Sequence, residues 1–549
     1  MASTDPLAAG LRALERGAWQ EARTAFHASL EAAESPQALE HLGLASWWLD
    51  DHEQTFRARE QAYALYRDGG DAKGAARVAL WLVWDTLAIK GDTAVASGWL
   101  ERARRLLGGH EASAEYGWLL LREGEMALFR GHDPATARAS GMRAAELGRQ
   151  TGDRGLEFTG LALEGLARVS AGDVAAGMRC LDEATAAATG GEVKELHTVG
   201  VVCCWQIFAC ERVRDFDRAA QWCARVQEFT KRWRFRPLSA ICRVQYAGVL
   251  IWRGAWDEAD TELAAAVRDF ELSRPPLIGQ AFARLGDLRL RQGRLEDAAK
   301  LFEQAGSQPI ARLGQVALAL ERGDPAGAAA DVDRYLVQTG VAEPTVRAGA
   351  LELAMRAHAA LKEWAPAEQA QEELRDIAQA LGTVPLALSV AAAEGDLLRQ
   401  RGDAQGAASR FEEAAVLAER TGAPLEMARA RLELSRTLAT QGQKAGAERE
   451  ARRALETFQA LGAARDATRA AELLTDLAEA PGAAEKPGLT TRQIEILRLV
   501  AQGLSNPEIA VRLRLSDHTV KRHVANLLTR LGLPSRAAAV AYAAQHGML

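Results

Sequence analysis

The stretch LTTRQIEILRLVAQGLSNPEIAVRLRLSDHTVKRHVANLLTRLGLPSRAAAVAYAAQHG, residues 489–547, decides the fold at the C-terminal end of the chain. It predicts four short helices, three of which carry a recognisable start signal. Thr490 and Gln493 have the spacing of a capping box, and Leu489 and Ile494 have that of a hydrophobic staple. The segment is therefore predicted to be a small helical unit with no room for a catalytic pocket.

The later helices of this segment repeat the same kind of signal. Ser505 and Glu508 form a second capping box, with Pro507 in the first turn, where its missing N–H costs nothing. Ser516 is predicted to cap the third helix, and a fourth helix is predicted to begin at Ser535. The turn between the second and third helices is short enough to hold them at a fixed crossing.

The third helix has one apolar and one polar face. Helical spacing turns the apolar residues toward a core: Val520, Val524, Leu527, Leu528 and Leu531. The opposite face carries Lys521, Arg522, Ala525, Asn526 and Thr529. Arg and Lys can contact guanine or phosphate, Asn suits adenine, and a small Ala lets the backbone approach the floor of a groove. The polar face therefore suits the major groove of DNA, although an ordinary solvated helix face has the same pattern.

Charge balance favours the interpretation as a DNA-binding helix. Residues 488–549 hold eight Arg or Lys against three Asp or Glu, a net charge of +5. The whole chain has a formal net charge of −6, so residues 1–487 carry −11. Phosphate groups are therefore expected to be attracted to the basic residues 488–549 and not to the acidic residues 1–487.

The strings LTTRQIEILRLVAQGLSNPEIA, LSDHTVKRHV and LGLPSRAAAV resemble the LuxR-type helix-turn-helix domain of bacterial transcription regulators. The resemblance implies a third helix in the major groove, a fourth helix that supports dimerisation, and a two-part DNA site. By position, it implies that Lys521 and Arg522 face bases or nearby phosphates. It also places Thr519, His523 and Asn526 along the DNA backbone and gives Arg536 a phosphate contact.

Three positions depart from the family pattern. Gln493 replaces the usual Glu and leaves the capping box intact. Pro507 replaces a common Lys, which puts one phosphate contact in doubt. Ala525 stands where some members carry a basic residue, which suggests a shifted sequence preference.

The preceding part of the chain is an internal repeat. Short turns, most with Gly or Asp, recur at intervals of about 40 residues: RGAW at 16, DDHE at 50, KGDT at 90, RGHD at 130, AGDV at 171, RDFD at 214, RGAW at 253, QGRL at 292, RGDP at 322, KEWA at 362, RGDA at 401 and QGQK at 441. Amphipathic helices flank most of them. The pattern predicts roughly twelve helical hairpins over residues 7–478.

One hairpin closely resembles a tetratricopeptide repeat. Gly286, Ala298, Phe302 and Ala305 have the spacing at which small residues admit a crossing helix and an aromatic ring fills the gap. The resemblance implies a right-handed superhelix whose concave face can hold a partner. The predicted fold class is all-α, with a tetratricopeptide-like helical-repeat solenoid at 1–478, a linker at 479–488 and a four-helix DNA-binding domain at 489–549.

Several side-chain groups in the repeats leave more than one interpretation open. Six cysteines lie between 180 and 242 without CxxC spacing, which favours buried thiols over a redox or metal sensor. Eight tryptophans can line a ligand groove or fill the inter-helix core, and helical spacing favours the core: Trp47, Trp48, Trp81, Trp84, Trp205, Trp222, Trp252 and Trp256. The basic string KRWRFRP at 231–237 is more typical of a solvated helix end than of a surface that contacts a partner or nucleic acid.

Absent motifs narrow the function. The chain has no GxxxxGK[ST] loop, no metal-ligand motif and no catalytic constellation, so we expect no enzyme activity, cofactor or metal. No run approaches the length of a membrane span, and no signal peptide is visible, so we expect a cytoplasmic protein that joins the nucleoid when bound to DNA.

Two functions are consistent with the sequence. We expect a transcription regulator that binds promoter DNA as a dimer, receives a protein, peptide or small-molecule signal on its repeats, and has RNA polymerase as a candidate partner. The alternative is a helical-repeat interaction scaffold with the DNA-binding segment as a minor anchor. A sigma-factor-like promoter reader fits less well, because the TVKRHV string and the fourth helix argue against it and no other sigma-like region is present.

Overall fold

A computed structural model describes residues 5–233, 236–479, 491–513, 515–531, 533 and 535–545 of the chain. At residues 227, 229–233, 236–239, 491, 544 and 545 it describes the backbone only. The chain divides into two compact units, Met1–Thr475 and Asp476–Leu549. The predicted linker at 479–488 lies, apart from Glu479, outside the described residues, as does the cap residue Thr490.

All regular structure in the described residues is helical, as the sequence predicts. The described residues of the first unit form twelve helical hairpins, followed by a closing helix. The hairpins are α1–α2 (Pro6–Glu15, Trp19–Ala32), α3–α4 (Pro36–Trp48, His52–Asp68), α5–α6 (Ala72–Asp85, Thr93–Leu106), α7–α8 (Ala114–Phe129, Pro134–Thr151), α9–α10 (Arg154–Ser170, Val174–Gly190), α11–α12 (Leu196–Arg212, Phe216–Trp233), α13–α14 (Arg236–Trp252, Trp256–Ser273), α15–α16 (Ile278–Arg291, Leu295–Ala305), α17–α18 (Pro309–Glu321, Pro325–Thr339), α19–α20 (Pro344–Ala360, Trp364–Leu381), α21–α22 (Val384–Gln400, Ala404–Arg420) and α23–α24 (Pro424–Thr440, Lys444–Leu461). The closing helix is α25 (Ala464–Glu479). A π-helical turn at Thr86–Lys90 extends α5, and a 3-10 turn at Pro275–Leu277 precedes α15.

Each of the twelve recurrent motifs forms the turn of one hairpin, and each turn contains a residue with positive φ. In eight turns this residue is a glycine: Gly17, Gly91, Gly172, Gly254, Gly293, Gly323, Gly402 and Gly442. In the other four it is Asp50, His132, Arg214 or Lys362. A left-handed residue reverses the chain after a helix, and glycine adopts that conformation without a Cβ clash. The motifs therefore predict the hairpins because they mark this conformation.

Phenylalanine wedges pack the hairpins in the way that the tetratricopeptide resemblance predicts. Phe302 is fully buried, and a Cβ on Gly286 would lie 2.5 Å from its ring, while one on Gly314 would lie 2.3 Å away. The same sixteen-residue spacing joins Gly10 to Phe26 and Gly395 to Phe411. A small residue on one helix thus admits the aromatic ring of the next.

The array also contacts itself over long sequence distances. Asp50 accepts a 3.5 Å hydrogen bond from Arg274, and Gly172 lies against Pro344. Further along, Arg214 donates to Ser389, and Gly254 lies against Pro424. The turn of one hairpin therefore meets the beginning of a hairpin about five places later, so successive coils of the array touch.

This coiling buries the first helix of many hairpins on all sides. Thirteen of the seventeen residues of α9 are buried, and α11 is similar, with buried His197 and Gln206 among its apolar residues. Of the tryptophans considered above, Trp47, Trp48, Trp205, Trp252 and Trp256 are buried and the other three are half-buried. The cysteines are unpaired, and burial raises the pKa of Cys203 and Cys210. The basic string at 231–237 has no described side chains.

The described residues of the second unit form four further helices: α26 (Thr491–Ala501), α27 (Asn506–Leu513), α28 (Asp517–Arg530) and α29 (Arg536–Gln545). These are the four helices that the sequence predicts. None of the helices in the described parts of the chain is long and apolar enough to cross a membrane.

Candidate nucleic-acid interface

Polar caps set the beginnings of α27 and α28. The backbone N–H of Ser505 donates to Glu508 Oε2 at 2.7 Å, and the Ser505 hydroxyl donates to the same oxygen at 2.6 Å. These bonds lower the pKa of Glu508. Ser516 Oγ accepts the N–H of Thr519 at 3.1 Å, as a helix cap does. The Thr519 hydroxyl lies 2.7 Å from Ser516 Oγ, so it belongs to the cap.

A compact core holds α28 by its apolar face. Val520, Val524 and Leu527 are buried, and Leu528 and Leu531 are half-buried, as the helical spacing predicts. Val520 and Val524 pack with residues of α26 and α27, while Leu527 packs with Leu497, Ala539 and Ala543. Because three helices contact this face, the opposite face of α28 is the one left to meet a ligand.

The opposite face of α28 carries the predicted DNA-contacting residues. Lys521, Ala525, Asn526 and Thr529 are exposed, and Arg522 is half-exposed. The Thr529 hydroxyl donates to the Ala525 carbonyl at 3.0 Å and so stays on the helix. The exposed surface is thus two cations, a small residue and an amide along one helix, without a bulky apolar side chain.

Lys521 and Asp517 form an ion pair along this face, one helical turn apart. Lys521 Nζ lies 3.0 Å from Asp517 Oδ2, and 63% of the lysine side chain is exposed. An exposed pair of this kind contributes only about 0.3–0.5 kcal/mol. A phosphate can therefore compete for Lys521, although Asp517 weakens the positive field.

His523 lies at the edge of the face and is half-buried. Burial lowers its pKa, and the charges of Arg492 and Arg522 lower it further. His523 is therefore neutral at pH 7 and can offer a hydrogen bond without adding a charge.

Two arginines bind the helices to one another. Arg536 donates from Nη1 to Asn506 Oδ1 at 2.7 Å, and from Nη2 to the Leu504 carbonyl. Arg492 donates to the Leu513 carbonyl at 3.0 Å, at the end of α27. Arg536 thus has structural partners at the position where the family resemblance implies a phosphate contact. Sequence reasoning missed Arg492, since no capping pattern marks a contact between distant residues.

The helices α26 to α29 belong to a segment that matches a known family. Residues 487–543 match the family described as bacterial regulatory proteins, luxR family. This segment is a LuxR-type helix-turn-helix domain. The geometry above, with a capped α28 resting on α26 and α27, is the structure of that domain in this chain.

Relatives of the LuxR-type domain include response regulators of staphylococci. The chain is 48% identical over 61 residues to the response regulator protein VraR of Staphylococcus aureus. The identity is the same for VraR of Staphylococcus epidermidis. The match covers 11% of this chain and 29% of each relative, so the likeness is confined to the LuxR-type domain.

Solved structures of low sequence identity align with most of the chain. The Cut9-Hcn1 hetero-tetramer of the APC/C aligns with 87% of this chain and 97% of its own, at 12% identity and a TM-score of 0.45. A Rap protein complexed with competence and sporulation factor aligns with 74% of this chain and 98% of its own, at 13% identity and a TM-score of 0.36.

Gln493 and Pro507, two positions at which the sequence differs from the family pattern, lie in the first turns of α26 and α27. The partner of Gln493 that the structure shows is Arg530, whose Nη1 lies 3.5 Å from Gln493 Oε1. The predicted role of Gln493 in a capping box depends on Thr490, which is outside the described residues. Pro507 is the second residue of α27, and its missing N–H falls in the first turn, as predicted.

Proposed function

We propose that the protein is a site-specific DNA-binding transcription regulator. The observation that carries this proposal is the exposed cationic and amide face of α28 within a LuxR-type domain. The net charge of +5 on residues 488–549 supports it, because phosphate attraction dominates the affinity of most DNA-binding proteins.

In the proposed complex α28 lies in the major groove. Lys521 and Arg522 face bases or neighbouring phosphates, and Asn526 is long enough to reach a base edge or the backbone. Ala525 brings the helix close to the groove floor because it has no side chain to hold the groove away. Thr519 and His523 lie along the backbone, and Arg536 acts chiefly by fixing α29 against the start of α27.

The wider assembly follows from the same proposal. The protein binds a two-part promoter site as a dimer through its LuxR-type domains, with RNA polymerase as a candidate partner. It works in the cytoplasm, at the nucleoid when bound to DNA. The repeat unit receives a protein, peptide or small-molecule signal, since stacked hairpins offer an extended binding surface.

Arg522→Ala tests the proposal in full-length protein. If Arg522 contacts a base, the change weakens binding to the DNA sequence that the unaltered protein prefers by about 1–3 kcal/mol. Fluorescence anisotropy at fixed salt measures this loss. Arg498→Ala is the matched control, because Arg498 is an exposed arginine on α26 and its loss removes the same charge. Equal losses of DNA affinity in the two variants would mean that Arg522 contributes only non-specific charge attraction. Unchanged affinity in Arg522→Ala would mean that DNA binds a surface that does not include Arg522.

The size of the repeat unit supports a second function, that of an interaction scaffold. This unit spans Met1–Thr475, most of the 549 residues. A scaffold would keep its cellular role after removal of residues 480–549, which leaves α25 intact, whereas a transcription regulator would lose it. The phenotype of that truncation, compared with a full deletion, distinguishes the two.

A further inference from the structure

The exposed face of α28 carries a histidine to which the sequence prediction gives no role. His518 is the second residue of α28 and is exposed to solvent. An α-helix turns by about 100° per residue, so His518 lies on the same side of α28 as Ala525, about two turns later. His518 therefore belongs to the face that is proposed to meet DNA.

The buried residues of α28 fix the direction of this face. Val520, Val524 and Leu527 are buried in the domain core. By helical rotation, the side of α28 directly opposite these three residues lies close to His518 and Arg522. Lys521 lies about a quarter of a turn away from that side. His518 is thus nearer the centre of the exposed face than Lys521 is.

The polar neighbours of His518 in the first turn have partners within the domain. Asp517 Oδ2 lies 3.0 Å from Lys521 Nζ, and the Thr519 hydroxyl lies 2.7 Å from Ser516 Oγ. His518 has no hydrogen-bond or ion-pair partner among the described residues. A ligand at the His518 imidazole therefore competes with water and not with these neighbouring groups.

The second histidine of α28 has a different environment. His523 is half-buried, and its pKa is lowered by burial and by the charges of Arg492 and Arg522. Helical rotation also turns His523 away from His518 and toward the core. Of the two histidines, His518 has the exposure and the direction that a contact with a base requires.

The position of His518 along α28 suits such a contact. In helix-turn-helix domains, the N-terminal residues of the recognition helix contact base edges in the major groove. The N-terminus of α28, capped by Ser516, also has a partial positive charge that attracts DNA phosphates. The short side chain of Ala525 lets the same face approach the groove closely, so the His518 ring can reach a base.

We propose that His518 is a specificity-determining residue that contacts one base in each half of the DNA site. An imidazole N–H of His518 donates to N7 of a purine, an acceptor that guanine and adenine both present in the major groove. Cytosine presents a donor there, and thymine presents a methyl group beside its acceptor, so a pyrimidine on that strand is disfavoured. This inference deepens the proposed function and rests on it.

Selection of DNA duplexes from a random library by the full-length protein, followed by sequencing, tests this role. We expect the unaltered protein to prefer a purine at one position in each half-site. His518→Ala should reduce that preference about three- to tenfold, the effect of losing one hydrogen bond, and leave the other positions unchanged. His518→Asn should shift the preference to adenine, because an amide can bond to both N6 and N7 of adenine.

Gln502→Ala is the matched control, because Gln502 is an exposed polar residue of the same domain in the turn after α26. This variant should keep every base preference. Circular dichroism checks that each variant folds. Base preferences that stay the same in His518→Ala, with or without a uniform loss of affinity, overturn the role of His518 and leave the regulator assignment standing. If the unaltered protein selects no preferred sequence, both proposals are overturned.

Discussion

At the scale of single residues, the face of α28 balances two charges one helical turn apart. Asp517 lies in the first turn, where a carboxylate stabilises the helix, and it also pairs with Lys521 at 3.0 Å. The same carboxylate repels a phosphate that approaches Lys521. Asp517 therefore stabilises the domain and, in the proposed complex, lowers its affinity for DNA.

Asp517→Asn should raise DNA affinity. The change releases Lys521 and removes a negative charge from the proposed interface, which is expected to contribute up to about 1 kcal/mol at low salt. Anisotropy titrations at two ionic strengths check this, since the gain should shrink as salt screens the charges. Glu495→Gln removes the same charge from α26 and serves as the control. An unchanged or lower affinity for Asp517→Asn would show that α28 does not face the phosphates.

A second residue-scale prediction concerns His197 and pH. Because the pKa of His197 is lowered in the folded protein, the unfolded chain takes up a proton near pH 6.5 that the folded chain does not. Stability is therefore lost as pH falls through that value, by up to about 1.4 kcal/mol per pH unit. His197→Gln should make this loss shallower in urea unfolding between pH 5 and 7.

His358→Gln is the opposite control for the pH experiment. Burial lowers the pKa of His358, but bonds to Glu363 and Asp333 outweigh burial and leave the pKa raised. His358 thus contributes stability below pH 6.5 that is lost as pH rises through its folded pKa. Removing it should lower the free energy of unfolding by the same amount at every pH below about 6.5 and leave the slope there unchanged. The same slope in both variants would contradict these assignments.

At the scale of helices, the sequence predicts the turns but not the places where helices cross closely. Turn motifs are local, so the sequence predicts all twelve hairpin turns, including Arg214 and Lys362, which adopt positive φ without being glycine. Helix crossings depend on pairs of positions in different helices. The close crossing between α8 and α9 rests on glycines that no turn pattern marks: Gly141, Gly148 and Gly160.

Gly160→Ala should destabilise the repeat unit. The added Cβ would lie 2.5 Å from the Ala145 backbone nitrogen and 2.8 Å from the Gly141 carbonyl oxygen, so α8 and α9 would have to separate. Overpacking of this kind typically costs about 1–3 kcal/mol or more. The measurement is the urea midpoint of the full-length protein.

Gly98→Ala provides the contrast within the same fold. Gly98 lies exposed in α6, and a Cβ there meets no atom within 4 Å. Alanine should therefore stabilise the protein, by up to about 1 kcal/mol. A stability loss at Gly98 as large as that at Gly160 would show that helix crossing is not the cause.

At the scale of the whole molecule, sequence reasoning predicts the two kinds of unit and their order. It also predicts the buried and exposed faces of α28, because helical periodicity and caps are local signals. It does not predict that Asp50 meets Arg274, because that contact depends on how many small rotations add up along the array. Nor does it predict that Arg536 bonds to Asn506, because that contact joins residues of the LuxR-type domain that are distant in sequence. The contact between Trp47 and His197 escaped prediction for the same reason: it joins α3 and α11, which meet only when the array coils.

The central claim, that α28 reads promoter DNA, is tested most directly by genome-wide DNA occupancy of the tagged full-length protein beside Lys521→Ala/Arg522→Ala. Arg498→Ala, with its exposed arginine on α26, controls for loss of charge. We predict discrete promoter peaks that share a two-part motif, disappear in the double variant and persist in the control. Peaks that persist unchanged in the double variant would contradict the claim.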